Sequence, residues 1–200
     1  EENQAVIKVK YVGYQTKNNY ATLFNERKVY ENHTPLISCL CVSQNNIKIV
    51  TKAIDDFIKQ TYTNKELIIV TEKQNPNLLE LRTLVGQKDR SAKKIKLVIV
   101  DSATFPTLGH LRNVSVQQAK GKYVLQWDDD DINHKDRMSF MYEEISKTSK
   151  NSCFLSKVFI IDKETGKKYL SRNWGGVEGT MLALRSEMPK YKHLSKGEDT

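Results

Sequence analysis

The sequence predicts an α/β domain built on a mainly parallel sheet with helices on both faces. Two observations carry this expectation. From Pro35 onward, short apolar runs alternate with amphipathic stretches, and the runs are continuous, as in strands covered on both sides. The punctuation agrees: Asn75-Pro76 and Gly121 fall between the periodic segments.

The elements follow in order. Leu36-Ile37-Ser38-Cys39-Leu40-Cys41-Val42 is the first strand. Asn45-Asn46 can cap a helix in which Ile47, Val50, Ile54, Phe57 and Ile58 recur at helical spacing, so that one stripe faces the sheet. Leu67 to Val70 is the second strand, and a leucine-rich helix carrying Leu78, Leu81 and Leu84 completes a βαβ unit. The unit repeats with a strand over Ile95 to Val100 and a helix marked by Leu108, Leu111, Ser115 and Gln118, which ends at Ala119-Lys120-Gly121 with glycine as its stop signal. Tyr123 to Trp127 is the fourth strand, and a helix follows over about 136–148.

Beyond that helix the style changes to a smaller α+β half. Ser156 to Ile161 and Lys168 to Leu170 read as a hairpin around Asp162-Lys163-Glu164-Thr165-Gly166, and a glycine-rich stretch runs from Asn173 to Thr180. Residues 1–33 form an N-terminal flank: Val6, Ile7, Val9, Tyr11 and Val12 alternate, but Lys17, Asn18, Asn19, Asn25 and Asn32 interrupt any period. The domain proper is expected over 34–200. It stops at Gly197-Glu198-Asp199-Thr200 without a closing helix, as a domain truncated at its C-terminus would.

Composition bounds the function. A chain of 200 residues supports one core, and 38% hydrophobic with 28% charged residues, Gly 9 and Pro 4, excludes collagenous and low-complexity classes. Mean hydropathy is −0.57. No stretch approaches the ~20 apolar residues of a membrane span, and no signal-peptide region is visible at the N-terminus. The net charge of +8 favours anionic partners, but the lysines are dispersed and no nucleic-acid motif accompanies them, so nucleic acid is not an expected partner. Cys39, Cys41 and Cys153 do not make a disulfide framework; they suit buried thiols in a reducing compartment, and the expected location is cytoplasmic.

In such sheets ligands collect at the carboxyl ends of the strands. The residues there are Ser43-Gln44-Asn45, Thr71-Glu72, Asp101-Ser102 and Asp128-Asp129-Asp130-Asp131. Four consecutive carboxylates after an apolar strand repel one another unless a cation or donors compensate. Mg²⁺ and Mn²⁺ take oxygen ligands and commonly join one or two carboxylates to substrate phosphates. The plainer alternative is a solvated acidic loop capping the next helix. Arg112 lies upstream, a planar cation suited to phosphate.

The series Gln60-Thr61-Tyr62-Thr63-Asn64-Lys65-Glu66-Leu67-Ile68-Ile69-Val70, Leu108-Gly109-His110-Leu111-Arg112-Asn113, Ala119-Lys120-Gly121-Lys122-Tyr123 and Gln126-Trp127-Asp128-Asp129-Asp130-Asp131 with Asp136-Arg137-Met138 resembles a family 2 glycosyltransferase of the GT-A fold. The resemblance implies transfer of a sugar, of hexosyltransferase type, from a nucleotide diphosphate donor with inversion. It implies Asp128 and Asp129 on the ribose side, Asp130 as ligand to Mn²⁺ or Mg²⁺ in a D-x-D signature, Asp131 at a frequent fourth acidic position, and Arg112 beside the donor. Ser43 and Gln44 stand where the family usually has Pro-Thr-Tyr, and Thr71-Glu72 where it commonly has Asp-Asp, which leaves Glu72 for the imide hydrogen of uracil. Asp199 of Glu198-Asp199 matches the general base near the acceptor, and Trp174, Gly175 and Gly176 fall where acceptor contacts are built. His110 and His134 have no metal-ligand spacing.

A UDP-sugar is the favoured donor, with a saccharide, lipid-linked or protein acceptor. The basic surface fits peripheral docking on an anionic membrane, at the inner face, as well as a soluble protein-modifying enzyme. Two competing readings share the fold: a nucleotidyltransferase, which would normally carry a glycine-rich basic loop after the first strand that is absent here, and a non-catalytic nucleotide-sugar-binding domain.

Overall fold

The computed structural model describes residues 7–9, 34–44, 46–89, 93–101, 106–162, 164–172, 175–192 and 194. Its strands are β1 (Ile7–Val9), β2 (Ile37–Val42), β3 (Lys65–Glu72), β4 (Ile95–Val100), β5 (Tyr123–Gln126), β6 (Ser152–Leu155), β7 (Phe159–Ile161), β8 (Lys168–Leu170) and β9 (Leu182–Leu184). The α-helices are α1 (Ile47–Ile58), α2 (Leu78–Lys88), α3 (Leu108–Gln118) and α4 (Arg137–Ser146). Seven strands form one sheet in the order β1-β6-β9-β5-β2-β3-β4, and β7-β8 is a separate ribbon. All pairings in the large sheet are parallel except those of β9, which runs antiparallel to both β5 and β6. The expected mainly parallel α/β architecture is therefore the observed one.

Strand alternation divides the core in two. Cys39 and Cys41 of β2 point with Leu67, Ile69 and Leu125 toward α1, α2 and α4, where Val50, Ile54, Phe57, Leu81, Met138, Met141 and Ile145 meet them. Leu40, Ile68, Val70 and Val124 point the other way, onto Leu111 and Ala119 of the α3 segment. The three cysteines are free and buried, and burial pushes the Cys39 thiol up to about 12. Asn46 caps α1 as the sequence indicates, its side chain accepting from the Lys48 and Ile49 N–H groups at 3.1 and 3.2 Å. Lys65, which opens β3, folds back so that its Nζ donates to Ile58 O and Gln60 O at 3.3 and 2.5 Å, closing the last turn of α1. Its burial lowers its pKa to about 8.

The helix α3 ends at Gln118, with Ala119 already extended, so the expected stop signal Gly121 is a glycine for another reason. A Cβ there would stand 2.7 Å from Leu36 O and Ser38 N, so the chain passes against the β2 backbone at a point where only glycine fits. The Gly121 N–H donates to Ser38 Oγ at 2.8 Å, and Ser38 Oγ donates to Glu66 Oε1 at 2.6 Å.

The second half differs from expectation in its strands. Ser152–Leu155 and Leu182–Leu184 are sheet strands that the apolar pattern does not show, because the first follows a polar run and the second is three residues long. The expected strand from Ser156 begins at Phe159: Ser156 is buried in a bend, and the ribbon register pairs Phe159 with Leu170 and Ile161 with Lys168. The turn is tight, with Asp162 Oδ1 accepting from the Glu164 and Thr165 N–H groups at 2.9 Å each, which holds the Asp162 carboxyl below its ordinary pKa. Within the N-terminal flank, Ile7–Val9 pairs with β6.

Candidate functional site

The parallel strands β2, β3 and β5 end at one edge, and the sequence-indicated residues sit there. Ser43 continues the ladder through its N–H to Val70 O at 2.9 Å, and its side chain is buried. Its Oγ has no hydrogen-bond partner among the described residues. Gln44 Nε2 donates to Glu72 Oε1, joining the ends of β2 and β3. Asp101, by contrast, is exposed and paired with Lys73 at 2.6 Å, and Ser102 lies outside the described residues.

The acidic turn starts from a fixed point. Trp127 is fully buried, its N–H bonds Leu40 O at 2.9 Å and its Nε1 donates to Ala53 O at 3.2 Å. Asp128 follows, half-buried. Its Oδ1 accepts from Gln126 Nε2 at 2.8 Å and faces an Arg112 guanidinium nitrogen at 3.8 Å. Its Oδ2 lies against Gly179, where a Cβ would stand at 2.7 Å. Asp129 is 6% exposed, whereas Asp130 and Asp131 face solvent. Desolvation at the turn, then repulsion from Asp128, raises the Asp131 carboxyl above its ordinary pKa.

Beneath the turn lies Arg137, 7% exposed. One terminal nitrogen donates to Asn133 Oδ1; the other donates to Gln126 O at 2.9 Å and Gly179 O at 3.2 Å. The guanidinium carbon is 5.5 Å from the Trp127 ring centroid. Motif residues from α1's end brace the same region: Gln60 Nε2 donates to His134 O at 2.8 Å and Gln60 Oε1 accepts from Met138 N at 3.1 Å. Thr61 Oγ1 donates to Asp136 Oδ1 at 2.7 Å.

Arg112 and Asn113 divide their work. Arg112 faces Asp128 while its guanidinium carbon stands 5.5 Å from the Tyr191 ring centroid. Asn113 exchanges two bonds with the Tyr191 backbone, at 2.9 and 2.8 Å. The Gly109 N–H donates to Leu194 O at 3.1 Å, so the segment leading toward Glu198-Asp199 is held on the first turn of α3.

The structure thus brings together Ser43, Gln44, Glu72, Arg112 and Asp128–Asp131 at one edge. Gly176 instead packs against Phe154, its virtual Cβ 3.1 Å from that side chain. Trp174, Glu198 and Asp199 lie outside the described residues. Gly179, Arg137 and Gln126 are the residues that sequence reasoning missed. Arg137 was visible beside Asp136 in the motif series, and Gly179 within the glycine-rich run, but nothing in one dimension brings them to Asp128. Among the described residues no three His, Cys, Asp or Glu side chains form a metal cage. A Mg²⁺ or Mn²⁺ ion that completes its shell with waters and phosphate oxygens needs only one or two carboxylates, and the outward Asp130 beside the anchored Asp128 meets that requirement.

Comparison with known proteins gives the family and the fold. A family model described as Glycosyl transferase family 2 matches residues 38–197. A relative, "Glycosyltransferase GlyG" of Streptococcus pneumoniae serotype 4, is 23% identical over 112 residues, covering 56% of this chain and 36% of its own. Among solved structures, S. aureus TarS 1-349 in complex with UDP superposes with a TM-score of 0.62 at 17% identity, over 82% of this chain and 52% of that one. The mannosyltransferase PcManGT of Pyrobaculum calidifontis, in complex with GDP-Man and Mn²⁺, gives 0.51 at 15% identity, over 60% and 35%. The chain therefore spans about a third of that relative and about half of the TarS fragment.

Proposed function

The chain belongs to glycosyl transferase family 2, and on that premise we propose that it moves a sugar from a nucleotide diphosphate sugar to an acceptor hydroxyl, with inversion and with Mn²⁺ or Mg²⁺. The observation that carries this reading is the acidic turn Asp128–Asp131 at the carboxyl edge of β5, faced by Arg112. In this reading Ser43, Gln44 and Glu72 receive the nucleoside: the buried Ser43 Oγ offers a hydrogen bond, and the Glu72 carboxylate can accept an imide hydrogen if Gln44 yields it. Asp128 and Asp129 address the ribose, and Arg112 lends positive charge beside the diphosphate. Asp130 holds the divalent ion. When bound, that ion supplies Lewis-acid stabilisation to the departing diphosphate. Asp199 takes the proton of the acceptor hydroxyl as the glycosidic bond forms, because a neutral hydroxyl is a weak nucleophile. Glu198, Trp174 and Gly176 belong to the acceptor side.

A donor panel tests this. In Mn²⁺, UDP or GDP at ~100 times Kd should stabilise the protein by about 2.7 kcal/mol, seen as a rise in thermal midpoint, and the matching nucleotide sugar should hydrolyse slowly without acceptor. Preference for nucleoside triphosphates would select the nucleotidyltransferase reading. Binding without hydrolysis or transfer, in a protein that carries the full acceptor half, would select the non-catalytic one. No stabilisation by any nucleoside diphosphate would remove the function proposed here.

Among the described residues no helix is long and apolar enough to cross a membrane. We place the acceptor at an anionic membrane surface as the use of the +8 charge. The β7–β8 ribbon supports this, since it exposes Phe159, Ile160, Tyr169 and Leu170 beside Lys167 and Lys168. Sedimentation with phosphatidylglycerol vesicles should be strong at low salt and be lost with phosphatidylcholine alone; no sedimentation with either lipid, or the same with both, would remove the charge-driven membrane contact.

A further inference from the structure

The two oxygens of Asp128 have different neighbours. Oδ1 is tied to Gln126 and faces Arg112. Oδ2 is backed by a bare Cα from another part of the chain, Gly179, in the short 3₁₀ turn Glu178–Thr180 that follows the ribbon. That turn is not free to drift. Arg137 bonds Gly179 O and Gln126 O through one nitrogen, so the strand end that launches Asp128 and the turn that backs it share a single guanidinium. Thr180 fixes the other side, accepting the Leu155 N–H through Oγ1 at 2.9 Å.

We infer that Gly179 is a positioning residue for Asp128, seated by Arg137, so that the acceptor-half turn sets the direction in which the first carboxylate of the acidic turn points. The inference rests on the glycosyl-transfer reading but adds a residue to it. Gly179 makes no polar side-chain contact and holds no ligand; it acts by leaving space. A methyl group at 179 meets the far end of a movable side chain rather than backbone, so the fold accommodates it and the carboxylate swings instead. Swinging removes the Gln126 bond and changes the distance to Arg112, which misdirects the carboxylate at the donor side.

A double-mutant cycle separates this from general damage. Titrations of Mn²⁺ with UDP and with GDP are run on the full chain as wild type, Gly179→Ala, Asp128→Ala and the pair. Gly179→Ala is expected to weaken metal-nucleotide binding about tenfold, with the ligand-free thermal midpoint within a few degrees of wild type. In the Asp128→Ala background the same glycine change is expected to cost less than about twofold, because the group it displaces is gone. An equal loss in both backgrounds, or no loss in the first, overturns the inference. Arg137→Lys keeps the charge but not the fork, and its affinity loss should overlap with that of Gly179→Ala; full additivity would remove Arg137 from the device. If wild type binds neither nucleotide with Mn²⁺, the functional reading fails rather than this one.

Discussion

Replacing Asp130 by alanine is expected to lower nucleoside diphosphate affinity in Mn²⁺ by at least ten- to a hundredfold, while leaving the ligand-free protein folded. The expectation follows from how the turn divides its carboxylates. Asp128 is held by Gln126 and Arg112, and Asp129 is buried, so neither is free to turn outward as the ion's carboxylate, which fits their assignment to the ribose side. Asp130 is exposed, and a carboxylate that can turn outward toward phosphate oxygens is what a hard ion with a partly aqueous shell requires. Because Asp130 is exposed, its loss should cost little in folding, which distinguishes it from Asp129. Calorimetric titration with UDP and with GDP, each with and without EDTA, checks this. Wild type in EDTA should match Asp130→Ala in Mn²⁺, and an Asp130→Ala protein that binds as wild type does would end the metal assignment.

The parts of this fold that were legible in the sequence are those where one residue type has one physical meaning. The runs at β2 and β3 are mostly apolar because helices cover both faces, β4 keeps the apolar run although it is the partly buried edge strand, and α1 shows its stripe because one side is wet. Asn46 declared its cap in advance. β9 could not be read the same way: three residues, Leu182-Ala183-Leu184, become a strand only because β5 and β6 leave a gap between them for an antiparallel partner. Gly121 was legible as a glycine but not for its cause, since its meaning lies in the backbone of β2, more than eighty positions earlier.

The site divides likewise. The acidic turn and Arg112 stand out in the sequence by charge, and their convergence follows from a helix and a strand sharing the carboxyl edge of a parallel sheet. Arg137 carries the same charge and reads as one more basic residue, yet it is buried and bonded to three separate acceptors. Its burial is tolerable because those acceptors and the Trp127 face replace water. Asn113, adjacent to Arg112 in the motif, serves the backbone of Tyr191 rather than a ligand.

That last pair leads to the second large effect. Asp199→Asn is expected to leave UDP and GDP binding in Mn²⁺ within about twofold of wild type and to reduce sugar transfer by roughly a hundred- to ten-thousandfold, the range that general-base removal produces. The physical ground is the path of the chain. Leu194 is bonded to Gly109 at the start of α3, the end of that helix that lies at the carboxyl edge of the sheet, and Tyr191 is bonded to Asn113 beside Arg112. Asparagine keeps the shape and one hydrogen-bonding oxygen but has no carboxylate to receive a proton. Transfer and donor binding are then measured on the same preparation, with the hydrolysis of the donor sugar as an internal control for a competent donor site. Loss of binding together with transfer would identify Asp199 as a structural residue, and full transfer by Asp199→Asn would move the base elsewhere in the acceptor half.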